Sequence, residues 1–138
     1  EYSRSQNPTR FALERCLAEL EGGQAGFTFA SGLAAMSTLL ELVDSGGHIV
    51  AGDDLYGGTY RLFERVRQRS AALRVSYVDA TDIDALERAL RPETRMIWVE
   101  SPTNPLLKVV DLSAVAALGE KHDVLTVCDN TFATPYVQ

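Results

Sequence analysis

Apolar residues recur along this chain in two rhythms, one helical and one extended. After Asn7-Pro8-Thr9, the residues Phe11, Cys16, Leu17 and Leu20 return at helical spacing, and Gly22-Gly23 closes the element. A short apolar stretch, 26–30, reads as a strand. Ser31 then suits the N-cap of a helix carrying Leu33, Met36, Leu39, Leu40 and Val43, which ends at Ser45-Gly46-Gly47. A second strand is expected at 48–51, a loop at 53–58, and a helix from Thr59 towards Ser70. The pattern repeats: 74–78 is strand-like, "TDIDALERAL" is a helix capped by Thr81 or Asp82, and 96–99 is an apolar, buried strand. Asp111 opens another helix, and 124–128 forms a last strand leading into "DNTFATP". Strands alternating with helices in this way predict an α/β fold, with a mostly parallel sheet covered by helices on both faces.

Composition narrows the function classes. The 138 residues are 46% hydrophobic and 23% charged, enough for a sizeable core, and the formal net charge is −6. That balance leaves no basic footprint for nucleic acid; Arg61, Arg65, Arg67 and Arg69 read as the solvated face of one helix. Cys16 and Cys128 show no CxxC or Cys/His metal spacing and sit in apolar surroundings, so two reduced core thiols and a cytoplasmic protein are expected. No apolar run approaches the ~18 residues of a membrane span, and Glu1-Tyr2-Ser3-Arg4 does not open a signal peptide.

In parallel sheets ligands collect beyond the carboxyl ends of the strands, and the Gly- and Pro-rich segments of this chain fall there: "ASGLAA", "DDLYGGTYR", "ESPTNP" and "DNTFATP". Ser31-Gly32-Leu33 at a helix N-terminus offers free amides and the positive end of a dipole to an anion; the same dipeptide also serves as a plain cap. Asp129 emerges from an apolar strand and either bonds the backbone at Thr131 or pairs with a cation on a ligand. Tyr56 either half covers the surface or lays its ring on something planar, the glycines beside it supplying torsional freedom. A planar, phosphorylated pyridine would use all three. The GxGxxG and GxxxxGK[ST] fingerprints are absent, which removes the usual support for a nucleotide.

The segments "YSRSQNPT", "FASGLAAMSTL", "DDLYGGTYRLF", "ESPTNPLLKVVD" and "VCDNTFATPYVQ" together resemble, in order and spacing, the Cys/Met-metabolism family of pyridoxal-phosphate enzymes, most closely its cystathionine γ-lyase and β-lyase branches. The resemblance implies the large domain of the PLP-dependent transferase fold (fold type I), with 1–10 as an arm contacting a neighbouring subunit and 11–138 as the first half of the cofactor-binding domain. It implies pyridoxal 5'-phosphate as cofactor and β- or γ-elimination on cystathionine or a related sulfur amino acid. Gly32 and Leu33 would hold the cofactor phosphate, with Ser31 and Thr131 also binding the cofactor. Tyr56 would stack on the ring and move protons, Asp129 would bond the ring nitrogen, and Asn104 would lie near the 3-hydroxyl with Glu100 supporting its loop. Tyr2 and Arg4 would reach a partner's cofactor phosphate, which implies a homo-oligomer, a catalytic dimer within a tetramer.

The family's cofactor-bearing lysine lies in a Ser-x-Thr-Lys segment beyond "DNTFATP", and Lys108 and Lys121 do not match it; both read as solvated or locally paired. Judged by its own lysines, the chain resembles a truncated half-domain, either part of a longer enzyme or an inactive binding or assembly module. γ-Synthases and O-acetylhomoserine sulfhydrylases share the motifs present, and Gly58 stands where methionine γ-lyases carry cysteine.

Overall fold

In a computed structural model describing residues 2–138, four strands form one parallel sheet in the order β2-β1-β3-β4. Glu1, the first residue of the expected arm, lies outside the described residues. The strands are β1 (His48–Gly52), β2 (Arg74–Val78), β3 (Thr94–Glu100) and β4 (Leu125–Asp129). Helices α1 (Pro8–Leu20) and α2 (Gly32–Leu39) precede the sheet. A single helical run, α3 (Gly57–Arg61), a π-helical segment (Leu62–Arg67) and α4 (Gln68–Ala71), joins β1 to β2. Next come α5 (Ile83–Ala89), α6 (Leu112–His122) and a short α7 (Thr134–Val137).

Strand alternation builds two cores. Ile49, Ala51, Met96 and Trp98 face one way, against Met36 of α2, Leu40 of the 3-10 turn that follows it and Phe63 of the π-helical turn. Val50, Ile97 and Val99 face the other way, against Leu86 of α5 and Val115 and Leu118 of α6. The central strands β1 and β3 are therefore buried on both faces, as their apolar runs predict. Side-chain caps start the helices where expected: the Asn7, Ser31, Asp82 and Asp111 side chains each accept from amides of the first turn.

Three sequence expectations are corrected. Residues 26–30 form no strand: the Thr28 amide and hydroxyl donate to Glu14 Oε1 at 3.0 and 2.8 Å, and a Cβ on Gly26 would fall 2.2 Å from the Glu14 carbonyl oxygen. The segment is strapped to α1 instead of pairing in the sheet. Both cysteines are exposed, not core thiols, because α1 buries none of its residues and β4 is an edge strand with only one neighbour. Arg67 also leaves the solvated arginine face: its guanidinium bonds the Ser37 carbonyl at 2.7 Å and pairs with Glu41.

The order in which the chain lays down its strands decides where a crevice opens. From β1 the chain moves outward to β2, then returns to the other side of β1 to lay down β3 and β4. The strand order therefore reverses between β1 and β3, and a crevice opens at their carboxyl ends.

Candidate active site

A cleft of about 450 Å³ occupies that crevice. It is lined by Ser31, Gly32 and Leu33 from the start of α2, Tyr56 after β1, Glu100 and Asn104 at the end of β3, and Asp129 and Thr131 at the end of β4. Four rim segments distant in sequence are brought to one place. Met36, Pro102 and Phe132 complete the lining and were not among the expected residues. Met36 could have been found from its spacing, one helical turn after Gly32-Leu33; Phe132 lies inside the "DNTFATP" segment, where nothing in the local pattern gives it a function of its own.

The start of α2 keeps two amides free. Ser31 Oγ accepts the Ala34 amide at 3.2 Å and the Ser31 carbonyl accepts that of Ala35 at 3.1 Å, which leaves the Gly32 and Leu33 N–H groups unpaired among the described residues. A Cβ on Gly32 would meet nothing within 4 Å, so the space over these amides is open.

Tyr56 is the N-cap residue of α3, and its amide donates to both oxygens of Glu100 at 2.9 and 3.0 Å. Its hydroxyl has no hydrogen-bond partner among the described residues. The ring folds back over Gly58, where an added Cβ would stand 2.3 Å from Tyr56 Cε1. Neither Gly57 nor Gly58 has a positive φ, so the loop needs glycine here for closeness and not for torsional freedom.

Glu100 is only 4% exposed, and burial raises its carboxyl above the usual range. The Tyr56 and Asn104 amides and the Thr59 hydroxyl oppose that rise, and the nearby Asp129 charge adds to it. Asp129 pairs in register with Glu100 across β3 and β4. Its Oδ1 accepts the Thr131 amide at 3.0 Å and the Thr131 hydroxyl, one of the two arrangements expected from the sequence, while Oδ2 takes no hydrogen bond among the described residues.

Tyr2 and Arg4 do not line the cleft. Arg4 places its guanidinium carbon 4.9 Å above the Tyr2 ring, in the stretch before α1. Lys108 lies outside the lining too, its Nζ held at 3.0 Å from Asp53 and 3.0 Å from Asp79, which raise its pKa. Lys121 pairs with Glu87 at 2.6 Å. Both lysines are locally paired, as expected.

Comparison with known proteins identifies the family and the fold. The profile of a family described as Cys/Met metabolism PLP-dependent enzyme matches residues 1–138. A cystathionine β-lyase of Coxiella burnetii is 59% identical over 138 residues, all of this chain and 36% of that protein. A probable cystathionine γ-synthase of Herpetosiphon aurantiacus is 49% identical over all of this chain and 43% of its own length. Among solved structures, a cystathionine γ-lyase from Lactobacillus plantarum complexed with L-serine superposes with a TM-score of 0.96 at 50% identity, over 100% of this chain and 36% of that one. The chain thus spans little more than a third of the length of the β-lyase and γ-lyase it matches.

Proposed function

Because the chain belongs to the Cys/Met-metabolism family of PLP-dependent enzymes, we propose that it is the cofactor-holding part of a carbon–sulfur lyase that cleaves cystathionine or a related sulfur amino acid. The observation carrying this reading is the convergence of an anion cup, a flat ring and a carboxylate in one cleft at the sheet's reversal point. Those three groups suit pyridoxal 5'-phosphate on their chemistry alone. The free Gly32 and Leu33 amides, at the positive end of α2, bind the phosphate, and Ser31 and Thr131 also bind the cofactor. Tyr56 covers the ring and Asp129 holds the pyridine nitrogen protonated, an ion pair in a partly desolvated place. Asn104 reaches the ring's 3-oxygen. When bound, the cofactor supplies an electron sink for carbanion chemistry at the substrate α-carbon. Tyr56, with its hydroxyl unpaired, passes protons at the leaving sulfur.

In this reading residues 1–10 are an arm and 11–138 the first half of the cofactor domain, the lysine and the substrate-carboxylate site being carried by the rest of the enzyme. Tyr2 and Arg4 stand outside the cleft of their own chain, which supports their serving a second copy's phosphate in a homodimer or tetramer. We place the enzyme in the cytoplasm; no described helix is long and apolar enough to cross a membrane.

The γ-synthase relative keeps γ-replacement as a second reading. One experiment separates the readings: the purified full-length enzyme is given cystathionine and its products are identified. A yellow protein that releases ammonia with pyruvate and homocysteine is a β-lyase, and one that releases 2-oxobutyrate and cysteine is a γ-lyase. Condensation of an activated homoserine with cysteine, and no oxo acid from cystathionine, would replace the lyase reading by the synthase. A colourless protein inert in both assays would end the catalytic reading.

A further inference from the structure

The loops leaving β1 and β3 hold each other in both directions. From β3, Glu100 accepts the Tyr56 amide of the β1 loop. From the β1 loop, Asp54 reaches the opposite way, and its Oδ2 accepts the Thr103 hydroxyl and the Leu106 amide, the latter at 2.9 Å. Asp54 is 7% and Thr103 4% exposed, yet neither lines the cleft.

The turn that Asp54 grips has little else to fix it. Pro102 and Pro105 have no amide to donate. The Thr103 and Leu107 amides bond within the turn, to the Lys108 and Thr103 carbonyls at 3.0 and 3.1 Å. The Leu106 and Leu107 side chains are 66% and 60% exposed, so apolar packing does not anchor them. Its ties to other segments are the Asp54 bonds, the Lys108 ammonium on Asp53 and Asp79 at its exit, and the Asn104 amide beside Glu100. Of these, only the Asp54 bonds join residues 103–106 directly to the β1 loop.

We propose that Asp54 is a positioning residue for Asn104: it locks the 103–106 turn to the β1 loop and so sets the spacing of Asn104 and Tyr56 in the cleft before any ligand arrives. The functional consequence rests on the reading of the cleft as a pyridoxal-phosphate site, where Asn104 bonds the ring's 3-oxygen. Preorganised donors gain affinity because the ligand need not order them. A single oxygen takes both donors, so an asparagine amide oxygen at the same place preserves the geometry while alanine leaves the buried Thr103 hydroxyl and the part-buried Leu106 amide unmet.

The test uses the full-length enzyme with Asp54→Ala, Asp54→Asn and, as a control, Asp53→Asn, which weakens the exposed Lys108 pair at the turn's exit while leaving the Asp54 bonds intact. Asp54→Ala is expected to raise the dissociation constant for pyridoxal 5'-phosphate about tenfold. It should also move the pH midpoint of the cofactor's visible band, a signature of altered bonding at the ring oxygen that a general loss of stability does not produce. Asp54→Asn and Asp53→Asn should stay within about twofold of the parent. Crystals of the cofactor-free Asp54→Ala protein should show Asn104 displaced. If Asp54→Ala does not fold, Thr103→Val carries the same readouts with a smaller effect, since one donor remains on Asp54. Unchanged affinity and band midpoint with Asn104 in place would overturn the assignment, as would an Asp54→Asn protein as impaired as Asp54→Ala. A parent enzyme that takes up no cofactor would instead defeat the cofactor reading, and the position of Asn104 in the cofactor-free crystals would still decide the role of Asp54.

Discussion

Tyr56 shows how one residue is divided between structure and chemistry. Its main chain is consumed by Glu100 and its ring rests on Gly58, while its hydroxyl makes no bond among the described residues. The first two fix the ring without using the hydroxyl. Tyr56→Phe in the full-length enzyme should therefore leave pyridoxal-phosphate affinity within about twofold and lower kcat by roughly a hundredfold, the usual scale for losing a positioned acid–base group. Cofactor titration and steady-state kinetics check both halves. Unchanged kcat would remove the proton-transfer role and leave the stacking role standing. The sequence displayed the tyrosine and the two glycines but not the reason for the second glycine. A close approach between a ring and a backbone two residues on depends on a side-chain rotamer, which no local pattern encodes. For the same reason Asp54 was invisible beside Asp53: two adjacent acids look alike until the chain folds one inward to Thr103 and the other outward to Lys108.

At the level of elements, patterns with an internal partner were legible and patterns whose partner lies elsewhere were not. The strands β1 to β4 and the caps at Asn7, Ser31 and Asp111 follow from periodicity and from hydrogen bonds within a few residues. The 26–30 stretch has the composition of a strand, but Glu14 takes the Thr28 donors and Gly26 is pressed against α1. The apolar residues of α1 predict a buried face, whereas Leu13, Leu17 and Leu20 are exposed in this chain. Glycine in α6 is a further case. By helix propensity Gly119→Ala should stabilise by up to about 1 kcal/mol. Here α6 lies so close to β4 that the added Cβ would stand 2.4 Å from Thr126 Cγ2 and 2.8 Å from the Val124 carbonyl oxygen. Relieving those contacts means moving backbone, at a cost on the order of 1–3 kcal/mol for overpacking. Gly119→Ala is therefore expected to lower the denaturation midpoint of the protein by chemical unfolding. A midpoint that rises would show that α6 can shift off the sheet without loss.

For the whole molecule, the two rims of the parallel sheet carry different tasks. The carboxyl rim gathers the cleft, and the opposite rim holds a buried histidine that binds three strands together. His48 at the start of β1 is fully buried, with Nδ1 2.8 Å from Thr94 Oγ1 on β3 and Nε2 3.0 Å from Ser76 Oγ on β2. Both hydroxyls can donate or accept, so a neutral ring is fully satisfied. Burial lowers its pKa first, and the positive charges of Arg91 and Arg74 lower it further, with Glu93 opposing them. A folded-state pKa below the unfolded value near 6.5 means the unfolded chain binds the proton more readily. The neutral ring's stabilisation is therefore complete above about pH 6.5 and declines as pH falls below it, until the folded pKa is passed, with a slope of at most about 1.4 kcal/mol per pH unit. The carboxylates of Glu14, Glu87, Glu93 and Asp79 have lowered pKa values and act at lower pH, while Glu100, whose carboxyl burial raises, adds stability as pH falls and works against the His48 slope. Urea unfolding between pH 8 and pH 5 should show stability falling below about pH 6.5. His48→Gln, which keeps a donor and an acceptor but cannot titrate, should be less stable at pH 8 and lose most of that slope. Equal slopes in parent and variant would place the titrating group elsewhere and leave His48 as a neutral packing residue over the whole range.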